Sequence, residues 1–128
     1  MAADLVERFE ACTLAPEEFH HEQHIYVAWT YLGREPLAAA AQRFITHLKR
    51  FADFHGKHGL YHETITWAYL ILVNERMAED GWDAFRAANP DLFTGAAGLE
   101  RYYRPETLRS PRARTTFLFP DRMYEELR

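Results

Sequence analysis

The chain has 128 residues, a hydrophobic fraction of 48% and a formal net charge of −4. That length fits one domain, 1–128, that can bury a core without disulfides or a structural metal, and the single cysteine, Cys12, excludes an intrachain disulfide. Net negative charge argues against a general nucleic-acid binder. No run approaches the roughly 20 apolar residues of a membrane span, and no basic-then-apolar leader follows Met1, so neither a membrane partner nor a signal peptide is expected and the location is read as cytoplasmic.

In chain order, a first short helix is predicted from Asp4 to about Cys12, with Leu5, Phe9 and Cys12 on one side. Thr13-Leu14-Ala15-Pro16-Glu17-Glu18 reads as a helix start, because proline suits a first turn and acids there complement the helix dipole. This second helix is expected to run to Leu32 and stop at Gly33. Pro36 opens a third, in which Leu37, Ala41, Phe44, Leu48, Phe51 and His55 form a helical stripe ended by Gly56. A loop at Lys57-His58-Gly59 leads into a helix from about Tyr61 to Glu79, apolar on most faces and therefore central. Short helices are expected at Trp82–Ala88 and Gly98–Tyr103, and Ser110-Pro111 reads as an N-cap with a first-turn proline. Phe117–Pro120 is an apolar run able to pack on the bundle, and 121–128 read as a tail. The fold expected is all-α, a compact bundle of three long helices plus several short ones, with antiparallel neighbours.

Charge and histidine are unevenly placed. Residues 1–80 carry twelve acids against seven Lys/Arg, a balance of −5, whereas 101–114 hold five arginines against Glu106. Six of the seven histidines fall between positions 20 and 58. At about 100° per residue, with Phe19 set at 0°, the apolar arc of the second helix spans about 80° to 240°, and His21 and His24 fall inside it at about 200° and 140°. His20 sits at its edge. On the central helix, His62 shares the face of Ile65, Thr66, Tyr69 and Val73. With the second and fourth helices parallel and the third returning between them, His21, His24 and His62 meet at one end of the bundle, and His55 arrives there too.

Two histidines at i and i+3 with a third from a neighbouring helix can bind a metal and leave a position open for water or substrate. Neutral imidazole suits zinc, iron, copper or nickel. The residues therefore point to a His-rich protein holding a divalent transition metal through His21, His24 and His62, acting on a small-molecule substrate by hydrolysis or oxidation. Glu63 is the candidate catalytic base or extra ligand, and a first-turn acid serving the helix dipole is an equal reading of it. Tyr69, Tyr103 and Arg104 are candidate substrate-binding residues, Arg104 because Tyr102-Tyr103-Arg104-Pro105 pins it in a turn beside aromatics. Two motifs fail: His20-His21-Glu22-Gln23-His24 is not the zinc-protease H-E-x-x-H, and Glu18-x-x-His21 lacks the second half of a di-iron site. The alternatives are a metal-free small-molecule binder or acid–base enzyme using His62 and Glu63, and a structural or partner-binding protein with core histidines. Cys12 reads as a small core residue. The aromatic richness leaves room for a homodimer interface.

The segments Phe19-His20-His21-Glu22-Gln23-His24, Tyr61-His62-Glu63-Thr64-Ile65-Thr66-Trp67 and Tyr102-Tyr103-Arg104-Pro105-Glu106-Thr107-Leu108 together resemble a family of small, stand-alone bacterial helical proteins of unknown function. The resemblance spans about Phe9 to Asp121. It implies a family and carries no activity or catalytic residue.

Overall fold

The structure is a computed structural model and describes residues 3–122. Among those residues the fold is all-α, with no strand. Its seven α-helices are α1 (Leu5–Glu10), α2 (His21–Arg34), α3 (Leu37–Phe54), α4 (Glu63–Glu75), α5 (Trp82–Ala88), α6 (Pro105–Arg109) and α7 (Pro111–Thr115). Short 3₁₀ turns lie at Pro16–Glu18, His58–Leu60, Pro90–Phe93 and Gly95–Leu99. The longest helices have 18, 14 and 13 residues, and α5, with seven, makes four of that length or more rather than three long ones. No helix among the described residues is long and apolar enough to cross a membrane.

Pro16–Glu18 does not open α2. It closes its own 3₁₀ turn, in which Glu18 Oε1 accepts from the Ala15 N–H at 3.1 Å and pairs with Arg8 at 3.1 Å. The chain is then extended through His20, where Gln23 Oε1 accepts from the His20 N–H at 2.9 Å, and α2 begins at His21. This break turns Phe19 into the core rather than onto the polar arc of α2, stacking it on Phe9 at 4.6 Å between ring centroids. Helix α2 continues through Gly33 and ends at Arg34, because Glu35 precedes Pro36 and is held extended at φ −138°, ψ 156°. Helix α4 starts at Glu63, not Tyr61, and ends at Glu75, not Glu79: the Arg76 N–H is shared between the Leu72 and Val73 carbonyls, which tightens the last turn.

Fully buried Ala40 and Ala41 present little side-chain bulk on α3, and α3 packs on both α2 and α4, which also touch each other. Phe9, Phe19, Phe44 and Phe51 fill the base of this arrangement, with Phe9–Phe51 at 5.5 Å and Phe19–Phe51 at 5.0 Å. The Gly98–Tyr103 helix is replaced by the Gly95–Leu99 turn and a bend into α6. Ser110 caps α7 as expected, its Oγ accepting from the Ala113 N–H at 3.1 Å. The segment after α7 is held by one hydroxyl. Thr64 Oγ1, fully buried on α4, donates to the Thr116 carbonyl at 2.7 Å and accepts from the Leu118 N–H at 3.1 Å. Of the stretch read as a tail, Asp121 accepts from the Arg104 N–H and the Thr107 hydroxyl, and the Arg122 N–H donates to the Tyr102 carbonyl. Residues 123–128 lie outside the described residues. Cys12 is buried and terminates α1 with φ +58°, a conformation that costs a side-chain-bearing residue energy.

Candidate functional site

The amino ends of α2 and α4 and the carboxyl end of α3 meet at one end of the bundle and enclose a cleft of about 460 Å³. Four histidines line it: His20 just before α2, His24 on α2, His55 just after α3, and His62 just before α4. Between them stand Phe19, Leu48, Phe51 and Ile65, so the wall is largely apolar. A narrow inner extension of about 60 Å³ shares His24, Leu48, Ile65 and Thr66 with the cleft and reaches His21, Ala28 and Tyr69. The size suits a small organic molecule, since such sites run roughly 300–1,000 Å³ and combine apolar walls with few polar groups.

Each imidazole has a different environment. His21 Nε2–H donates to the Leu92 carbonyl at 2.7 Å, and its ring meets Tyr69 edge-on at 4.7 Å. Burial lowers its pKa from the usual value, partly offset by that carbonyl. His24 packs on Phe19 at 4.2 Å between centroids. Burial, followed by the neighbouring His21 and His20, pushes its pKa down to about 4, so it is neutral at pH 7. His62 is the N-cap of α4. Its Nδ1 accepts from the Ile65 N–H at 3.1 Å, and its Nε2–H donates to the Leu108 carbonyl at 2.7 Å. Both ring nitrogens are thereby engaged with main chain, in the neutral Nε2–H tautomer. His55 differs again: its ring packs on Phe51 at 4.5 Å, and its Nε2 is buried with no hydrogen-bond partner among the described residues, as are Trp29 Nε1 and His47 Nδ1.

The structure thus brings His24 and His62 to the same cleft, as helical phase predicts, and places His21 behind them at its inner end. Among the described residues no group of three or more His, Cys, Asp or Glu side chains is positioned to hold a metal ion. Glu63 points elsewhere. It accepts from the Tyr61 hydroxyl at 2.5 Å and lines a separate hollow of about 470 Å³ with Lys49, Asp53 and Arg114. Its two cations have partners within the fold: Lys49 lies 4.8 Å over the Tyr61 ring, and Arg114 donates to the Gly59 and Tyr61 carbonyls. Burial and the adjacent Glu63 push the Tyr61 phenol upward.

Tyr69 reaches the inner end of the site, where its hydroxyl donates to the Gly95 carbonyl, and burial raises its pKa. Tyr103 does not approach the histidines. It is buried, bonds the Leu118 carbonyl at 2.7 Å and lines an apolar groove with Phe117 and Phe119, and burial with nearby Asp121 raises its phenol to about 12. Arg104 is exposed and precedes α6, its N–H held by Asp121. Helical phase misses the carbonyls of Leu92 and Leu108 that orient His21 and His62. Both come from 3₁₀ or short helical segments that carry no periodic signal. It also misses Lys57, Leu60 and Phe19 as cleft residues. Comparison of the chain with protein-family models, curated proteins and solved structures finds no match.

Proposed function

We propose that this protein binds a small, largely apolar molecule in the histidine-lined cleft between α2, α3 and α4, without a metal. The observation that carries the reading is the pairing of an apolar 460 Å³ cleft with imidazoles that are neutral or unpartnered, His24 and His55. A buried polar nitrogen left without a partner costs about 1–3 kcal/mol, and a ligand that turned the His55 ring toward the cleft would give its Nε2 the partner it lacks. Among the described residues no Asp or Glu lines the cleft to work with an imidazole, which favours binding over acid–base catalysis. Of the residues first considered for a metal-free site, His62 borders the cleft and Glu63 does not.

The competing reading is a divalent transition metal on His21, His24 and His62, with Glu63 as base or further ligand. It requires His62, both of whose ring nitrogens are engaged, to give up one of two hydrogen bonds, whereas His21 would coordinate through Nδ1 while keeping the Leu92 carbonyl. One experiment addresses both. The tag-free protein, first assayed for bound zinc, iron, copper and nickel, is titrated with the neutral fluorophore N-phenyl-1-naphthylamine. Metal-free protein is expected to bind the dye, and Leu48→Trp, which fills the cleft, to lose it while retaining helical circular dichroism. Near-stoichiometric metal that disappears in His21→Ala and His62→Ala, or dye binding indifferent to Leu48→Trp, overturns the proposal.

A further inference from the structure

The cleft carries a polarity of its own, from mouth to floor. Its described lining residues include no carboxylate, although the chain holds 19 Asp and Glu against 15 Lys and Arg. The one formally charged side chain among its described lining residues is Lys57, exposed at the rim beside exposed His20 and Leu60, the last 71% exposed. Lys57 is held there by backbone geometry. Gly56 takes φ +69°, and the Lys57 N–H closes back on the Ala52 carbonyl at 2.7 Å, the six-residue closure that ends a helix through a left-handed glycine. The same turn fixes His55, with its unpartnered Nε2, one step inward. Deeper still the wall is Phe19, Leu48, Phe51 and Ile65, with His24 beside the narrow extension that reaches His21.

From this gradient we infer that the ligand is a small monocarboxylic acid with an apolar body, bound apolar end first, its carboxylate at the rim between Lys57 and the imidazoles. The inference rests on the cleft reading above and adds the ligand's charge and orientation to it. The ammonium of Lys57 supplies a charge-assisted contact to a carboxylate oxygen, stronger than the same contact to a neutral hydroxyl. A cationic head would meet Lys57 with nothing of opposite sign in the wall. A charge carried inward would have to be desolvated among Phe19, Phe51 and Ile65, which is costly without a partner. The orientation with the carboxylate outward avoids both costs and leaves the 60 Å³ extension beside Ala28 for the far end of the apolar body.

The test is competition against bound N-phenyl-1-naphthylamine, near neutral pH, by three probes that share one chain and differ in head group: octanoate, octan-1-ol and octylammonium. Octanoate is expected to displace the dye at a concentration about three- to fivefold below that needed with either of the others, the scale of one exposed ion pair. Lys57→Gln, with displacement referred to that variant's own measured dye affinity, is expected to bring octanoate to the level of octan-1-ol. Equal displacement by all three probes, or an octanoate curve unmoved in Lys57→Gln, overturns the carboxylate inference and leaves the cleft reading standing. If the dye itself does not bind the wild-type protein, both fall together.

Discussion

Replacing His62 by alanine removes two contacts of known kind. The Ile65 N–H loses its cap, a change typically worth about 1 kcal/mol, and the Leu108 carbonyl, on a residue only 8% exposed, loses its donor, worth about 1–3 kcal/mol when buried. The expected loss is therefore about 2–4 kcal/mol. His62→Asn separates the two contacts. Asparagine is a strong N-cap but is too short to span both Ile65 and Leu108, so it should restore about 1 kcal/mol of the deficit. Urea unfolding of wild type and both variants, read by circular dichroism, gives the three stabilities. Amide exchange at Ile65 and in α6 locates the change. Stability of His62→Ala within about 0.5 kcal/mol of wild type, or an asparagine variant no better than alanine, refutes the capping-and-tethering role of His62. Added zinc that stabilises wild type but not His62→Ala would instead speak for the metal reading.

Acid should weaken the fold through His24. Its folded pKa of about 4 lies below the ordinary histidine value of 6.5, so the unfolded chain takes up the proton first. The stabilising effect is complete above pH 6.5 and is lost progressively as pH falls to about 4, by at most roughly 3 kcal/mol. His24→Gln should flatten the stability–pH curve across that interval, and an unchanged slope contradicts the assignment. Gly98→Ala should cost about 1–3 kcal/mol, because a Cβ there would stand 2.5 Å from the Asp91 carbonyl and 2.7 Å from Tyr69 Oη. Since Tyr69 packs on His21, the His21 ring resonances should shift with it. Gly59→Ala, with nothing within 4 Å, is the control, and equal melting temperatures for the two variants would contradict the packing argument.

Much of the architecture was legible because periodicity records burial. The stripe through Phe44, Leu48, Phe51 and His55 marks α3 and one wall of the cleft, and phase places His24 and His62 on it. Phase read the second helix too far toward its amino end, however. Pro16-Glu17-Glu18 fits a 3₁₀ turn as well as an α-helical start, and the Arg8–Glu18 pair and the Phe9–Phe19 stack, each ten residues apart in sequence, accompany the 3₁₀ form. Glu63 was read with His62 because they adjoin. At a cap position, adjacent residues diverge, so His62 turns to Leu108 while Glu63 turns to Tyr61. The tyrosines show the same limit: Tyr69 lies on a periodic helix and was placed near the histidines, whereas Tyr103 sits in a bend whose direction no spacing encodes.

The hydrogen bonds that orient this site are long in sequence: His21 to Leu92 spans 71 residues, His62 to Leu108 spans 46 and Thr64 to Thr116 spans 52. Contacts of that separation carry the largest loop-closure cost and tend to form late. The first four helices can assemble the apolar walls while their imidazoles still sample several rotamers and tautomers. Only when the carboxyl-terminal third docks do His21 and His62 acquire their acceptors and hence their tautomers. The carboxyl-terminal third thereby acts as a clasp on a cleft whose described lining ends at Thr66, and its undocking would free two of the site's imidazoles before it erased the helices.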